Sequence, residues 1–236
     1  MIKAKPEKLS IYLALDMDQP EEALKWVKRL HGFLLGFKIG PRLLLRGGPA
    51  LAESIDKMGS SLFIDFKFHD IPSTTCAAVQ TAFELGASVT TVHAANSRNA
   101  LLDLAKLESE LNQKREFKIL GVTVLTSIDS QNRPKSWREA PLSEIVADLS
   151  KTWLATGLTG LVCSPFEAAS IKNQYPQAHL VCPGVHVGEQ SAADQKRSME
   201  ITDALTCGAD ALVVGRALLN HPHPENLLES WYESTP

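Results

Sequence analysis

The chain has 236 residues, of which 44% are apolar and 22% are charged, a composition that fits a globular protein with a sizeable core. Its 24 basic and 27 acidic side chains leave a formal charge of −3, and there is no basic tail, so a role in binding nucleic acid or a membrane surface is not supported. No uninterrupted apolar run approaches the roughly 18 residues of a membrane span, and no signal-like stretch opens the chain, which indicates a cytoplasmic protein.

Eight short apolar runs, rich in β-branched and aromatic residues, predict strands. In chain order they cover residues 10–16, 33–40, 61–68, 88–95, 117–127, 160–164, 178–185 and 210–217. Between them, apolar residues return every three or four positions, which is typical of helices. This α/β alternation predicts a (β/α)8 TIM barrel that forms a single domain over residues 1–236, with its core in roughly 10–220. An open doubly wound sheet is the alternative, but no GxGxxG follows the first strand.

Two further features lie outside this alternation. Residues 129–140, "DSQNRPKSWREA", form a long irregular segment after the fifth predicted strand. The four cysteines are far apart and match no zinc or CxxC spacing, so we expect buried, reduced thiols.

Charged residues close the first three predicted strands. "LALD" ends in Asp16, "LGFK" ends in Lys38, and "FIDFKFHD" carries Asp65, Lys67 and Asp70. Because side chains alternate along a strand, Asp65 and Lys67 share one face while apolar neighbours occupy the other. Barrels collect functional groups at the carboxyl ends of their strands. The sequence therefore predicts a charged site at the barrel mouth.

The acidic neighbours of Lys67 suggest its chemical role. Carboxylates at Asp65 and Asp70 would favour the ammonium form of this side chain over the neutral amine. A Schiff-base lysine needs the neutral amine, so that chemistry is disfavoured. A proton donor, or a fixed cation facing developing negative charge, fits better.

A second candidate site follows the last two strands. The seventh strand leads into "CPGVHVGEQSAADQKR" and the eighth ends in "VVGRA". Loops at these places in barrels often bind phosphate through backbone N–H groups, and an arginine can add a two-point contact. Gly215 and Arg216 fit that role.

The segment 65–74, D-x-K-x-x-D-I-P-x-T, resembles the signature of the orotidine 5′-phosphate decarboxylases, and the spacing resembles the bacterial members. Further matches fall in the order of that family, namely "LALD" at Asp16, "FKIG" at Lys38, "TVLTS" at Thr126 and Ser127, "PGV" at 183–185, "DQKR" at 194–197 and "VVGRA" at Gly215 and Arg216. The resemblance implies decarboxylation of orotidine 5′-phosphate to uridine 5′-phosphate in pyrimidine synthesis, with no metal and no cofactor.

The resemblance also implies residue roles. Lys67 would protonate C6 of the pyrimidine as carbon dioxide leaves, and the charged network would be completed by Lys38, Asp65 and Asp70. The remaining substrate contacts would be Asp16 and Lys38 to the ribose, Thr126 and Ser127 to the base, and Gln195, Gly215 and Arg216 to the phosphate. A homodimer is implied, in which Asp70, Ile71 and Thr74 reach the neighbouring subunit's site.

One position departs from the family pattern. Where bacterial relatives have P-G-I-R, this chain has "PGVH", which places His186 near the phosphate. A histidine offers at most one hydrogen bond to a phosphate, and its charge depends on pH. We therefore expect weaker phosphate binding than with arginine.

Two alternatives remain open at this stage. Sugar-phosphate decarboxylases and aldolase-like synthases of the same superfamily share D-x-K-x-x-D, but they use magnesium and carry an acidic ligand beyond the motif, where this chain has "IPST". The second alternative is a non-catalytic barrel that binds nucleotide phosphates, because a fold alone does not establish activity.

Overall fold

The computed structural model describes residues 8–187 and 197–234. Eight parallel strands close into a barrel in the order β1, β10, β7, β6, β5, β4, β3, β2, so the predicted (β/α)8 barrel is confirmed. The barrel strands are β1 (Leu9–Ala14), β2 (Leu34–Ile39), β3 (Ser61–Phe68), β4 (Val89–His93), β5 (Lys118–Val122), β6 (Gly160–Val162), β7 (His179–Cys182) and β10 (Ala211–Val214). Each of the eight predicted apolar runs overlaps one of these strands, and only β1 begins outside its run, by one residue.

Helices connect the strands on the outside of the barrel. They are α1 (Pro20–Leu30), α2 (Pro41–Leu44), α3 (Gly48–Lys57), α4 (Pro72–Glu84), α5 (Arg98–Asn112), α6 (Leu142–Leu154), α7 (Pro165–Gln174), α8 (Ile201–Ala204), α9 (Arg216–Leu219) and α10 (Pro224–Ser234). Several begin with proline, which fits the first turn because its missing N–H has no partner there. No helix in the described ranges is long and apolar enough to cross a membrane.

The alternation of side chains along the strands divides the core into two layers. Leu62 and Ile64 of β3 pack outward, in the large cluster between barrel and helices. Phe63 points inward, where its ring meets Tyr12 edge-on at 5.3 Å in a smaller cluster inside the barrel. This inner cluster fills the lower part of the barrel, so polar side chains beyond it gather at the carboxyl ends of the strands.

Some features differ from the expectation. The fifth strand ends at Val122 rather than near residue 127, because Thr123 turns to β6 and its hydroxyl donates to the Val162 carbonyl at 2.9 Å. After β7, a second, two-stranded sheet forms from β8 (Val185–His186) and β9 (Met199–Glu200). Residues 129–140 contain no helix or strand, as predicted.

The cysteine prediction is partly wrong. All four thiols are free, and Cys163 and Cys182 are buried, but Cys76 and Cys207 are only partly buried. Both lie at the edge of the large apolar cluster, where the neighbouring side chains cover them incompletely.

Candidate active site

A cavity of about 990 Å³ opens at the carboxyl ends of the barrel strands. Its floor includes Phe63 and Val213 of the inner cluster. Most of the side chains singled out in the sequence line it, namely Asp16, Lys38, Asp65, Lys67, Thr126, Ser127, His186, Gly215 and Arg216. The fold therefore brings together residues from both ends of the sequence, such as Asp16 and Arg216, which lie 200 positions apart.

Asp65 bridges two lysines at the centre of this cavity. Its Oδ2 lies 3.1 Å from Lys38 Nζ, and its Oδ1 lies 2.8 Å from Lys67 Nζ. Burial alone would raise the pKa of Asp65, but the charges of Lys38 and Lys67 outweigh it and lower the pKa to about 2. Asp65 is therefore ionised at neutral pH, and it holds two cations on one face of the site.

Lys38 is nearly as enclosed as Asp65. Burial lowers its pKa, yet the carboxylates of Asp65 and Asp16 more than compensate, so the pKa of Lys38 is raised. Asp16 Oδ1 lies 3.4 Å from Lys38 Nζ, at the open edge of the cavity. The buried ammonium is therefore paired on two sides.

Lys67 has an unusual backbone. Its φ of +50° is the only positive value at a non-glycine residue within 8–187 and 197–234. The cause is an irregularity in the ladder, because Ile64 pairs with Thr90 whereas Phe68 pairs with Val92, which leaves extra residues on β3. The left-handed conformation costs roughly 1–2 kcal/mol for an L-residue, and such strain tends to occur at functional sites. The prediction that Lys67 and Asp65 share a face is confirmed by their contact.

The residues expected to meet the phosphate follow other strands of the barrel than Lys38, Asp65 and Lys67. Gly215 follows β10 and precedes α9, whose first residue is Arg216. His186 lies on β8, and its Nδ1 atom is buried without a hydrogen bond to the described residues. Gln195, expected beside them, lies outside the described residues. The cavity thus carries two chemically different sets of residues. The lysines and aspartates lie after β1 and on β2 and β3, and the predicted phosphate-binding residues lie on β8 and after β10.

Thr126 and Ser127 belong to the segment that leaves β5. Arg197 fixes this segment, because its guanidinium donates to the Val124 carbonyl at 2.9 Å and pairs with Glu167 at the start of α7. Gly184 lets the chains approach, since it has a φ of +82° and a Cβ there would come within 2.8 Å of the Arg197 carbonyl oxygen. The sequence motif "DQKR" contains Arg197, but its pattern did not indicate this anchoring contact.

Asp70, Ile71 and Thr74 stand apart from the cavity. All three are exposed, just before α4 or in its first turn, and Ile71 is 63% exposed. Asp70 accepts the backbone N–H of Ile71 at 2.6 Å, and it forms no ion pair with any residue in 8–187 or 197–234. The expectation that Asp70 flanks Lys67 is therefore not met within one chain.

Comparison with known proteins places this cavity in a family. The family model described as "Orotidine 5′-phosphate decarboxylase / HUMPS family" matches residues 10–230. The chain belongs to this family.

Curated relatives and solved structures agree with the assignment. Orotidine 5′-phosphate decarboxylase of Paramagnetospirillum magneticum is 35% identical over 212 residues, which cover 88% of this chain and 90% of the relative. The enzyme of the same name from Rhodopseudomonas palustris is 36% identical over 221 residues, which cover 93% of this chain and 91% of the relative. The crystal structure of orotidine 5′-phosphate decarboxylase from Lactobacillus acidophilus superposes with a TM-score of 0.81 at 26% identity, over 97% of this chain and 99% of that one.

Two residues beside the site lie outside the motifs that connect the chain to the decarboxylase family. Arg42 lines the cavity, pairs with Asp18 and follows Lys38 by four positions in the sequence. Thr91 is 1% exposed and contacts both Asp65 and the backbone of Lys67. Thr91 could have been identified from the sequence as a polar residue at an inward-facing position of β4, the strand next to β3.

No group of three or more histidine, cysteine, aspartate or glutamate side chains arranged to hold a metal ion occurs in the described ranges.

Proposed function

We propose that this chain decarboxylates orotidine 5′-phosphate to uridine 5′-phosphate and carbon dioxide, a step of pyrimidine nucleotide synthesis. The observation that carries the proposal is the Asp65 carboxylate, which holds the Lys38 and Lys67 ammonium groups at 3.1 and 2.8 Å inside the cavity. Membership of the decarboxylase family and identities of 35% and 36% to two such enzymes support the same substrate.

The reaction needs a cation beside one carbon atom. When the bond from C6 to the carboxylate breaks, its electron pair stays on C6 in an orbital of the ring plane, where the pyrimidine π system cannot delocalise it. The Lys67 ammonium stabilises this pair and transfers one Nζ proton to C6, which forms the new C–H bond. Lys67 then regains a proton from solvent, which its 37% exposed side chain permits.

Asp65 and Lys38 support this step electrostatically. Because the pKa of Asp65 is lowered to about 2, the carboxylate stays ionised and keeps Lys67 directed into the cavity. Lys38 neutralises the second oxygen of Asp65. In this proposal Lys38 and Asp16 contact the ribose hydroxyls. No organic electron sink is required in this scheme.

The charges near C6 supply only part of the catalysis. A barrier reduction at the upper end of enzyme performance is about 23 kcal/mol, whereas one charge pair at about 4 Å and an effective dielectric constant of about 20 contributes about 4 kcal/mol. The rest must come from binding the substrate away from the reacting carbon. We assign that role to Thr126 and Ser127, which would bind the base, and to the residues that would bind the phosphate, namely His186, Gln195, Gly215 and Arg216.

We further propose that the enzyme is a cytoplasmic homodimer built from one barrel domain per chain. The exposed start of α4 supports the dimer, because it presents the apolar Ile71 beside Asp70, which has no ionic partner among the described residues. In a two-fold dimer the same segment of each subunit would reach the other subunit's site. Asp70, Ile71 and Thr74 would then complete the partner's cavity.

A direct assay tests the activity. Purified protein should remove the absorbance of orotidine 5′-phosphate and release uridine 5′-phosphate, and the rate should not change when EDTA is added. A parallel assay with a sugar phosphate and magnesium tests the magnesium-dependent alternative. If only the magnesium-dependent sugar-phosphate reaction occurs, the proposed substrate is wrong, and if neither substrate reacts, the non-catalytic binding barrel is favoured.

A further inference from the structure

Thr91 joins the two groups on which the proposed chemistry depends. Its hydroxyl donates its proton to Asp65 Oδ1 at 2.8 Å and accepts the backbone N–H of Lys67 at 2.9 Å. Asp65 Oδ1 is also the atom that contacts Lys67 Nζ, at 2.8 Å. Both ends of Lys67, the backbone nitrogen and the side-chain nitrogen, are thereby connected to Thr91, one directly and one through Asp65.

The bulged pairing of β3 with β4 explains why hydroxyl groups are needed here. Where the register shifts between Ile64 and Phe68, the backbone of β3 departs from the regular ladder. Two consecutive threonines of β4 supply substitute partners, because Thr90 donates to the Ile64 carbonyl at 2.9 Å and Thr91 accepts the Lys67 N–H. A buried N–H without a partner would be unfavourable, so Thr91 stabilises the strained conformation directly.

The two threonines face opposite sides of the strand. Thr91 points into the barrel mouth and reaches Asp65, whereas Thr90 points outward and bonds only backbone. Both are fully buried, with exposures of 0% and 1%. Both threonines therefore support the bulge, but only Thr91 also contacts a charged side chain.

We propose that Thr91 is a positioning residue for Lys67, and that its hydroxyl fixes the Asp65 carboxylate and the left-handed Lys67 backbone so that the ammonium group meets C6. The inference rests on the proposed decarboxylase function for its kinetic consequence. Thr91 is buried and does not line the cavity, so it acts through Asp65 and Lys67. A lysine has a long, flexible side chain, and small displacements from reactive geometry reduce rates strongly.

The experiment compares three single variants in the full-length enzyme. Thr91→Val keeps the shape and removes the hydroxyl, Thr91→Ser keeps the hydroxyl, and Thr90→Val removes the neighbouring hydroxyl that faces away from the site. We expect kcat of Thr91→Val to fall about 10- to 100-fold, the size expected for one hydrogen bond to a charged group. KM and the Kd for uridine 5′-phosphate should stay within about threefold, since the ribose, base and phosphate contacts remain.

The control variants decide between positioning and general stability. Thr91→Ser should recover most of the lost kcat, and Thr90→Val should retain the wild-type kcat even where it lowers the stability. The proposal is overturned if Thr91→Val keeps kcat within about twofold, if Thr91→Ser is as slow as Thr91→Val, or if Thr90→Val loses as much kcat as Thr91→Val. Should Thr91→Val fail to fold, Thr91→Cys takes its place in the comparison with Thr91→Ser, since a thiol is a weak donor and acceptor.

A substrate-independent measurement separates this inference from the proposed function. The Lys67 backbone amide should exchange with deuterium faster in Thr91→Val than in the wild type or Thr90→Val, because only that variant removes its acceptor. If the wild-type enzyme does not decarboxylate orotidine 5′-phosphate but the exchange pattern holds, the function is wrong and the positioning of Lys67 by Thr91 stands. If the exchange at Lys67 is unchanged in Thr91→Val, the inference is wrong whatever the activity.

Discussion

Lys38 Nζ lies 3.1 Å from Asp65 Oδ2, and each of the two side chains is only about a tenth exposed. Because both charges are nearly enclosed, neither is stable there without the other. The pair therefore couples the integrity of the site to the stability of the barrel, and it makes the first prediction a thermodynamic one.

Asp65 should make the stability depend on acid pH. Its pKa is about 2 in the folded chain against 3.8 for the free group, so its contribution is present above pH 3.8 and is lost as the pH falls toward 2. Asp65→Asn should lower the free energy of unfolding by about 3 kcal/mol at neutral pH, because Lys38 then loses its nearest carboxylate. Urea unfolding of both proteins at several pH values measures this. The difference in the free energy of unfolding between the wild type and Asp65→Asn should become smaller in acid. A difference that stays constant down to the lowest pH at which the protein folds would contradict the lowered pKa of Asp65.

The strained backbone of Lys67 gives a second stability prediction. At a φ of +50°, Lys67→Gly should be more stable than Lys67→Ala by about 0.5–1 kcal/mol, because glycine has no left-handed penalty and only part of the gain is offset by its freer unfolded chain. Both variants lack the ammonium group, so the comparison isolates the backbone. Ala77→Gly, on the exposed side of α4, is the matched control and should be destabilising. Equal or reversed stabilities at position 67 would show that the backbone there is not strained.

How far the sequence predicts the site depends on whether strand alternation or bulge geometry decides the contact. Alternation was enough to place Asp65 and Lys67 on one face of the strand. The positive φ of Lys67 and the contacts of Thr91 follow from a shifted register between β3 and β4. The pattern of apolar residues in these two strands does not predict that shift. The family motif identified Asp65, Lys67 and Asp70 directly, since it spans a single segment.

The contacts around Thr126, Ser127 and His186 were less predictable for a different reason. Arg197 holds the segment that carries Thr126 and Ser127 through a carbonyl oxygen about 70 positions earlier, so its contact is set by the closed barrel. The short β8 and β9 strands contain two residues each, too few for a periodic pattern. The (β/α)8 architecture itself was predictable because it repeats eight times along the chain.

Position 186 should control the affinity for phosphate. His186→Arg is expected to bind uridine 5′-phosphate about tenfold more tightly, because a guanidinium can make two charge-assisted hydrogen bonds where the imidazole makes one. Calorimetric titration measures the affinity, and uridine, which lacks the phosphate, is the control ligand. The gain should be confined to the nucleotide. An unchanged affinity, or an equal gain for uridine, would mean that the side chain at 186 does not face the phosphate.

Mixed dimers test the proposed exchange of Asp70 between subunits. Lys67→Ala and Asp70→Ala should each be nearly inactive as pure proteins. If Asp70 serves the partner's site, a hybrid dimer has one site with both residues intact, so unfolding and refolding an equal mixture should restore about a quarter of the wild-type activity. Mixing two preparations of Lys67→Ala is the control and should restore nothing. If the mixture of the two different variants also stays inactive while native dimers reform, Asp70 acts within its own subunit.

The most direct test of the account is the turnover of Lys67→Ala. With orotidine 5′-phosphate in excess, its rate should fall at least about 10⁴-fold below the wild type, because the variant loses both the proton donor and the cation beside C6. Its affinity for uridine 5′-phosphate should change far less, which shows that the cavity is intact. A Lys67→Ala enzyme that releases carbon dioxide within about tenfold of the wild-type rate would contradict the central role given to this ammonium group.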